Sequence, residues 1–152
     1  MINLFEVFDK KAIVLYNSFR FSGINRQTVV IEEDGFLPED VTTPYQFFAD
    51  NHTVPKKPLF FNQVKVPRFW SIEGNNESAV IKDMADTKAR IIYKKNYKLR
   101  IIERIEWLNK RGHTQFIDYY NQYGFCYAQV LLDANTHSCL LYTSDAADSD
   151  LV

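Results

Sequence analysis

In "NLFEVFDKKAIVLYNSFRFSG" the apolar residues Leu4, Phe8, Ala12, Leu15 and Phe19 recur every three or four positions. That spacing predicts an amphipathic helix, and Gly23 supplies its stop. Val29 to Ile31 follows as a short, fully apolar strand, closed by a turn at Asp34-Gly35. "TPYQFFAD" then reads as a short helix with Pro44 in its first turn. Helix, strand and short helix in that order suggest the edge of an α/β layer. "NHTVPKKP" is a loop broken by Pro55 and Pro58.

From Leu59 the period changes. "LFFNQVKV", "RFWSIEG", "AVIKDM", "ARIIYKK", "LRIIERIEWL", "TQFIDYYN" and "FCYAQVLLD" are short runs with partial alternation of apolar and polar residues. Most are separated by turn signals: Pro67, Gly74-Asn75-Asn76, Asp86, Asn96-Tyr97, Asn109 to Gly112, and Asn121 to Gly124. Strands of this length and spacing predict an antiparallel meander. Leu99, Ile102 and Ile105 sit at helical spacing, but β-branched content and the flanking turns favour a strand there. The expected fold class is α+β.

Composition narrows the function classes. The 152 residues are 46% hydrophobic and 15% aromatic, enough for a real core and against disorder. A formal net charge of -1 provides no global field to attract nucleic acid. Cys126 and Cys139 lack metal-ligand spacing and suit a reducing compartment. No apolar run is long enough for a transmembrane segment, so a cytoplasmic protein is expected.

Candidate chemistry is sparse. His52, His113 and His137 are scattered in loop contexts and read as surface histidines. Glu32, Glu33 and Asp34 form an acidic triplet that could meet a metal or a sugar hydroxyl, though a solvated turn is the simpler reading. The five glycines lie far apart and build no phosphate loop. Cys126, inside "FCYAQVLL", reads as a small buried hydrophobe. The basic run "KARIIYKKNYKLR", interleaved with tyrosines, reads as a solvated hairpin. Catalytic, metal and cofactor residues are therefore all expected to be none.

The densest signal is "FFNQVKVPRFWSIEG". If this run is extended, Phe61, Gln63 and Lys65 project to one side, and Phe60, Asn62, Val64 and Val66 to the other. Its rings could pack on one face of the sheet, stack on sugars, or anchor a protein interface. Pro67 cannot donate to a ladder, so it marks an edge or bulge just before Trp70, where a partner sheet could dock.

"EDGFLPEDVTTPYQFF", "PLFFNQVKVPRFWSIEG", "RIEWLNKRG" and "DYYNQYGFCYAQVLLD" resemble a known family in order and spacing from about Ile2 to about Asp133. It is the non-catalytic stabilising (chaperone) subunit of the O-GlcNAc transferase of the accessory Sec system. Thr43, where Ser is expected before Pro-Tyr, and Tyr119, where His is expected, depart from the family pattern. The resemblance implies two nucleotide-binding-type halves with a meander inserted in the first. Segment 1–55 would be a partial Rossmann-like segment and 56–138 an incomplete antiparallel β-meander. The implied partners are the catalytic O-GlcNAc transferase subunit and a serine-rich-repeat adhesin polypeptide, with attachment to the membrane only peripheral, through the complex. Partner binding is expected at Phe61, Phe69, Trp70, Trp107 and Tyr120. A fragment of the catalytic glycosyltransferase and a carbohydrate-binding β module remain the alternatives. The final stretch, 139–152, is expected to be a non-native tail without function, disordered or loosely helical. Its "CLLYTSDAAD" resembles the translation of a transposase adapter used in sequencing libraries.

Overall fold

The computed structural model describes residues 1–48, 57–133 and 139–143. The chain divides into two compact units, Met1–Val54 and Pro55–Val152. The fold class is α+β: a small parallel sheet with helices in the first unit, an antiparallel sheet in the second.

In the first unit β1 (Asn3–Phe5) runs parallel to β2 (Thr28–Val30), which runs parallel to β3 (Val41–Thr42). Helix α1 (Lys10–Phe21) is the crossover that two parallel neighbours require. The helix starts later than the apolar spacing suggests. Asp9 is its N-cap, its carboxylate accepting the Ala12 N–H at 2.9 Å, and Leu4 belongs to β1 instead. Its buried residues are Ala12 and Tyr16, whereas Leu15 is exposed, so the expected Leu15 stripe is not the one that packs. Gly23, at φ 72°, ends the helix in the left-handed conformation that glycine adopts without strain. Tyr16, Val30, Leu37 and Val41 form the core, with Phe5 and Phe8 packed against it. Helix α2 (Pro44–Phe48) follows, capped by Thr43, whose hydroxyl accepts the Gln46 N–H at 3.0 Å.

The second unit is a meander in which every strand pairs with its chain neighbours. In chain order these are β4 (Trp70–Gly74), β5 (Ser78–Asp83), β6 (Asp86–Tyr93), β7 (Ile102–Leu108), β8 (Thr114–Tyr120), β9 (Cys126–Leu132) and β10 (Cys139–Thr143). The helical spacing of Ile102 and Ile105 has a physical source. Tyr93 pairs with Ile102 but Ile92 with Arg104, a β-bulge with one extra residue on β7. The bulge turns both isoleucines to the same face, and both are fully buried.

Two expectations need correction. "LFFNQVKV" is not a strand. Phe60 makes one bridge to Ile101, then Phe61–Gln63 turns as a 3-10 helix, with Gln63 Oε1 accepting the Phe60 N–H at 3.0 Å. That local bond competes with a ladder, and the alternation expected for this run fails with it. Cys139–Thr143 forms β10 against the edge of β9, where coil or loose helix was expected. The rest of that tail, most of the loop at "NHTVPKKP", His52 and His137 lie outside the described residues.

Residues 59–66 cover one face of the sheet. Leu59, Phe61, Val64 and Val66 pack on a core of Ala79, Ile81, Ala89, Ile91, Tyr93, Ile102 and Ile105. Gly74 sits beneath this cover: a Cβ there would lie 2.7 Å from the Phe61 ring and 2.8 Å from the Tyr93 hydroxyl. Gly74→Ala is therefore expected to destabilise the fold by about 1–3 kcal/mol through overpacking. An unchanged urea midpoint would show that both rings yield freely. The Tyr93 hydroxyl is buried and has no hydrogen-bond partner among the described residues. Tyr93→Phe is expected to keep or raise stability, by up to about 1 kcal/mol in the same titration; a clear loss would reveal a bond to that oxygen.

Candidate interaction surface

Cross-strand register builds the covered face row by row. One row runs Ile72, Ile81, Ala89, Trp107, Phe116, Leu131; the next runs Gly74, Ala79, Ile91, Ile105, Asp118, Gln129. The second row changes from apolar to polar between β7 and β8. Residues 59–66 lie over the apolar part, while the residues of β8 are half-buried or exposed.

At that transition Asp118 organises three strands. Trp107 Nε1–H donates to Asp118 Oδ2 at 2.8 Å, and Gln129 Nε2–H donates to Asp118 Oδ1 at 2.6 Å. The Trp107 ring, fixed by this bond, stacks on Phe116 with centroids 5.8 Å apart. Burial pushes the Asp118 carboxyl above its ordinary 3.8, and the two donated bonds only partly offset that. Burial likewise raises the Tyr120 phenol well above its usual range and pushes the Cys126 thiol up to about 12. Burial thus favours the protonated form of the half-buried Cys126 thiol.

The five expected partner-binding residues separate into two kinds. Phe61, Trp70, Trp107 and Tyr120 are partly buried and pack against the sheet core. Phe69 is 82% exposed. It occupies the corner of a turn closed by the Trp70 N–H donating to the Pro67 carbonyl at 3.0 Å. The turn feeds β4, an edge strand of the sheet, so Pro67 does stand at an edge. Arg68 lies 5.9 Å from the Phe69 ring centroid, and Lys88 6.0 Å from that of Trp70. Met84, in the β5–β6 turn, is also exposed.

Asp118 and Gln129 lie in the family-like stretch "DYYNQYGFCYAQVLLD", but sequence reading gave neither a site role. The hairpin turn at Asn109–Gly112 was the available signal, because folding the flanking strands about it brings Asp118 near Trp107. Within the acidic triplet Glu33 serves the fold: it accepts from the Gly35 N–H and from the Thr43 hydroxyl, each at 2.8 Å, linking the β2–β3 loop to the start of α2. Tyr119 packs on Tyr127 with ring centroids 6.4 Å apart. The His113 backbone closes the β7–β8 turn with Asn109. Among the described residues no group of three His, Cys, Asp or Glu could hold a metal ion, and no helix is long and apolar enough to cross a membrane.

Comparison with known proteins places this geometry in a family. Residues 2–48 match the family model of the GtfB N-terminal domain, and residues 70–151 that of the GtfB middle domain. A Streptococcus agalactiae protein named UDP-N-acetylglucosamine–peptide N-acetylglucosaminyltransferase stabilizing protein GtfB is 40% identical over 135 residues, 89% of this chain and 30% of that protein. Its Streptococcus gordonii namesake is 38% identical over 86% of this chain and 29% of its own length. The chain thus spans about 30% of the curated relatives it matches. A chain in a crystal structure of a GtfA/B complex bound to UDP and GlcNAc superposes with a TM-score of 0.89 at 34% identity, over 97% of this chain and 33% of that one. A chain of accessory secretory protein 1, 2 and 3 from Streptococcus pneumoniae shares the fold, with a TM-score of 0.70 at 9% identity over 91% of this chain and 29% of that one.

The Asp118 geometry sets a pH dependence. A carboxyl whose folded pKa is raised contributes stability that is complete below its unfolded pKa and lost as pH rises through the folded value. The window opens at the ordinary 3.8 and extends upward. Glu33, also raised by burial, acts in the same direction, so the comparison must be with a variant. Asp118→Asn, with no proton to release, is expected to flatten part of the stability decline between about pH 3 and 7. Parallel urea midpoints for variant and wild type across that range would refute the assignment.

Proposed function

The chain belongs to the GtfB family, and from that premise we propose that it is part of a non-catalytic subunit that binds and stabilises a catalytic O-GlcNAc transferase. The observation that carries the reading is the superposition of nearly the whole chain, 97%, on one third of a chain in a GtfA/B complex at 34% identity. In this reading the bond-making groups belong to the partner, and this chain supplies rigid apolar surface and strand edge. The pair acts on a serine-rich-repeat adhesin polypeptide in the cytoplasm, with membrane attachment only peripheral and through the complex.

The edge of β4 is the contact surface we assign to the partner. Phe69 offers a large ring whose exposure is already fixed by the Pro67–Trp70 turn, so little conformational freedom is lost when it is covered. Trp70 follows it on β4 with Lys88 of β6 6.0 Å from its ring, and the exposed Met84 follows Asp83, the cross-strand partner of Trp70, giving apolar groups with a cation beside them. Trp107 and Tyr120 act from below, keeping the sheet stiff.

Co-expression of the full-length protein with its transferase is expected to raise the transferase's soluble yield. Unchanged yield, or sugar transfer by the purified full-length protein alone, would overturn the function. Phe69→Ser is expected to weaken the complex by about 2 kcal/mol, roughly thirtyfold in Kd, with no change in the melting curve of the free subunit. Wild-type affinity in that variant would remove β4 as the contact while leaving the function standing.

A further inference from the structure

The loop from β6 to β7 and the turn from β4 to β5 meet at one end of the antiparallel sheet. They line a solvent-open cavity of about 350 Å³ whose lining includes Asn76, Glu77, Lys95, Tyr97, Lys98 and Arg100. That volume lies in the lower part of the range for small-molecule sites, about 300–1,000 Å³. We propose that this cavity binds a phosphate-bearing anion.

Its charge is the first reason. Lys94 also lines it but is tied to Glu103 at 3.5 Å. Among the described residues Lys95 and Lys98 have no ion-pair partner, and Glu77 is the one carboxylate in the lining. Three cations against one carboxylate leave an excess that matches a phosphate group, which carries about −1.5 to −2 charges at neutral pH. The whole chain has a net charge of -1, so this concentration of positive charge is local.

Preorganisation is the second. The Arg100 guanidinium lies 5.4 Å from the Phe61 ring centroid and donates from Nη2 to Asn76 Oδ1 at 2.8 Å. A ring and an amide therefore hold its plane, while other N–H donors of the fork stay available for an oxygen-rich anion. The Arg100 carbonyl accepts the Phe61 N–H at 3.2 Å, so the backbone beneath the guanidinium is anchored too. Lys95 and Lys98, on exposed loop positions, can close over what Arg100 orients.

The test uses the full-length protein and pyrophosphate in isothermal titration calorimetry at low ionic strength. Wild type is expected to bind saturably, K95Q/K98Q to bind about tenfold or more weakly, and K10Q/K11Q, on exposed α1 positions, to bind as wild type. A parallel arm offers vesicles of phosphatidylcholine containing phosphatidic acid, or phosphatidylserine in its place. The variant pattern on phosphatidic acid vesicles alone assigns the phosphate to a lipid headgroup; with pyrophosphate alone, to a soluble ligand. No saturable binding in either arm, equal loss in both lysine pairs, or equal capture by phosphatidylserine overturns the proposal.

Discussion

Two backbone hydrogen bonds determine how the second unit is assembled: the Ile102 N–H to the Leu59 carbonyl at 2.9 Å, and the Phe61 N–H to the Arg100 carbonyl at 3.2 Å. They pin a non-strand segment to Arg100 and to Ile102, the first residue of β7. Once pinned, Leu59, Phe61, Val64 and Val66 have one place to go, the apolar face of the sheet. Gly74 must then lack a side chain because Phe61 occupies its space. The same anchoring sets where Pro67 turns the chain, and so where Phe69 emerges and β4 begins. Arg100, on the far side of the second bond, receives the Phe61 ring as its platform. The covered core, the proposed partner edge and the basic cavity are all consequences of one docked segment.

Much of the meander was legible because it is built from local signals. Asn-rich and Gly-containing turns punctuate the strands, and side chains such as Asn75, Asn109 and Asn121 accept backbone N–H groups within their own turns. Pro67 marked an edge by lacking a donor. What escaped reading depends on contacts distant in sequence. β1 is three residues that become a strand only because β2 lies parallel to them, some 25 residues on. Likewise Asp118, Trp107 and Gln129 sit on three strands and meet through register alone. Of the five expected partner-binding residues, the ring count could not separate Phe69, exposed at the Pro67–Trp70 turn, from four that are partly buried against the core, because the difference is set by tertiary packing. Ile102 and Ile105 show the opposite hazard: a bulge imitates helical spacing.

A near-neutral chain need not have an even surface. On the sheet, opposite charges meet in pairs: Lys82 with Glu73 at 2.6 Å, and Arg104 with Glu103 at 2.9 Å and with Glu106 at 3.0 Å. The exposed Lys82–Glu73 pair contributes about 0–1 kcal/mol. The effect of the pairs is to cancel the field over the strands. The β6–β7 loop lacks such cancellation at Lys95 and Lys98, so its positive potential stands out against a neutral sheet. Net charge sums over the whole surface, so a value near zero is compatible with the local excess of positive charge at Lys95 and Lys98.

The first unit leads to a different conclusion through its exposed apolar surface. Helix α1 buries Ala12 and Tyr16, yet Val14 is 64% exposed and Phe21 92% exposed, and Leu4 of β1 is exposed as well. A helix with apolar residues around most of its circumference belongs inside a structure with layers on several sides. A parallel sheet is ordinarily buried on both faces, because its crossovers place helices there. In this unit the described helix α1 contributes Tyr16 to the core that packs Val30 and Val41, and Leu4 points away from burial. Exposed hydrocarbon of this kind is what one side of a larger α/β layer would present, and the relatives are about three times as long as this chain. Family membership and the surface physics of the parallel sheet support each other by independent routes, one from residue identity and the other from water-exposed hydrocarbon.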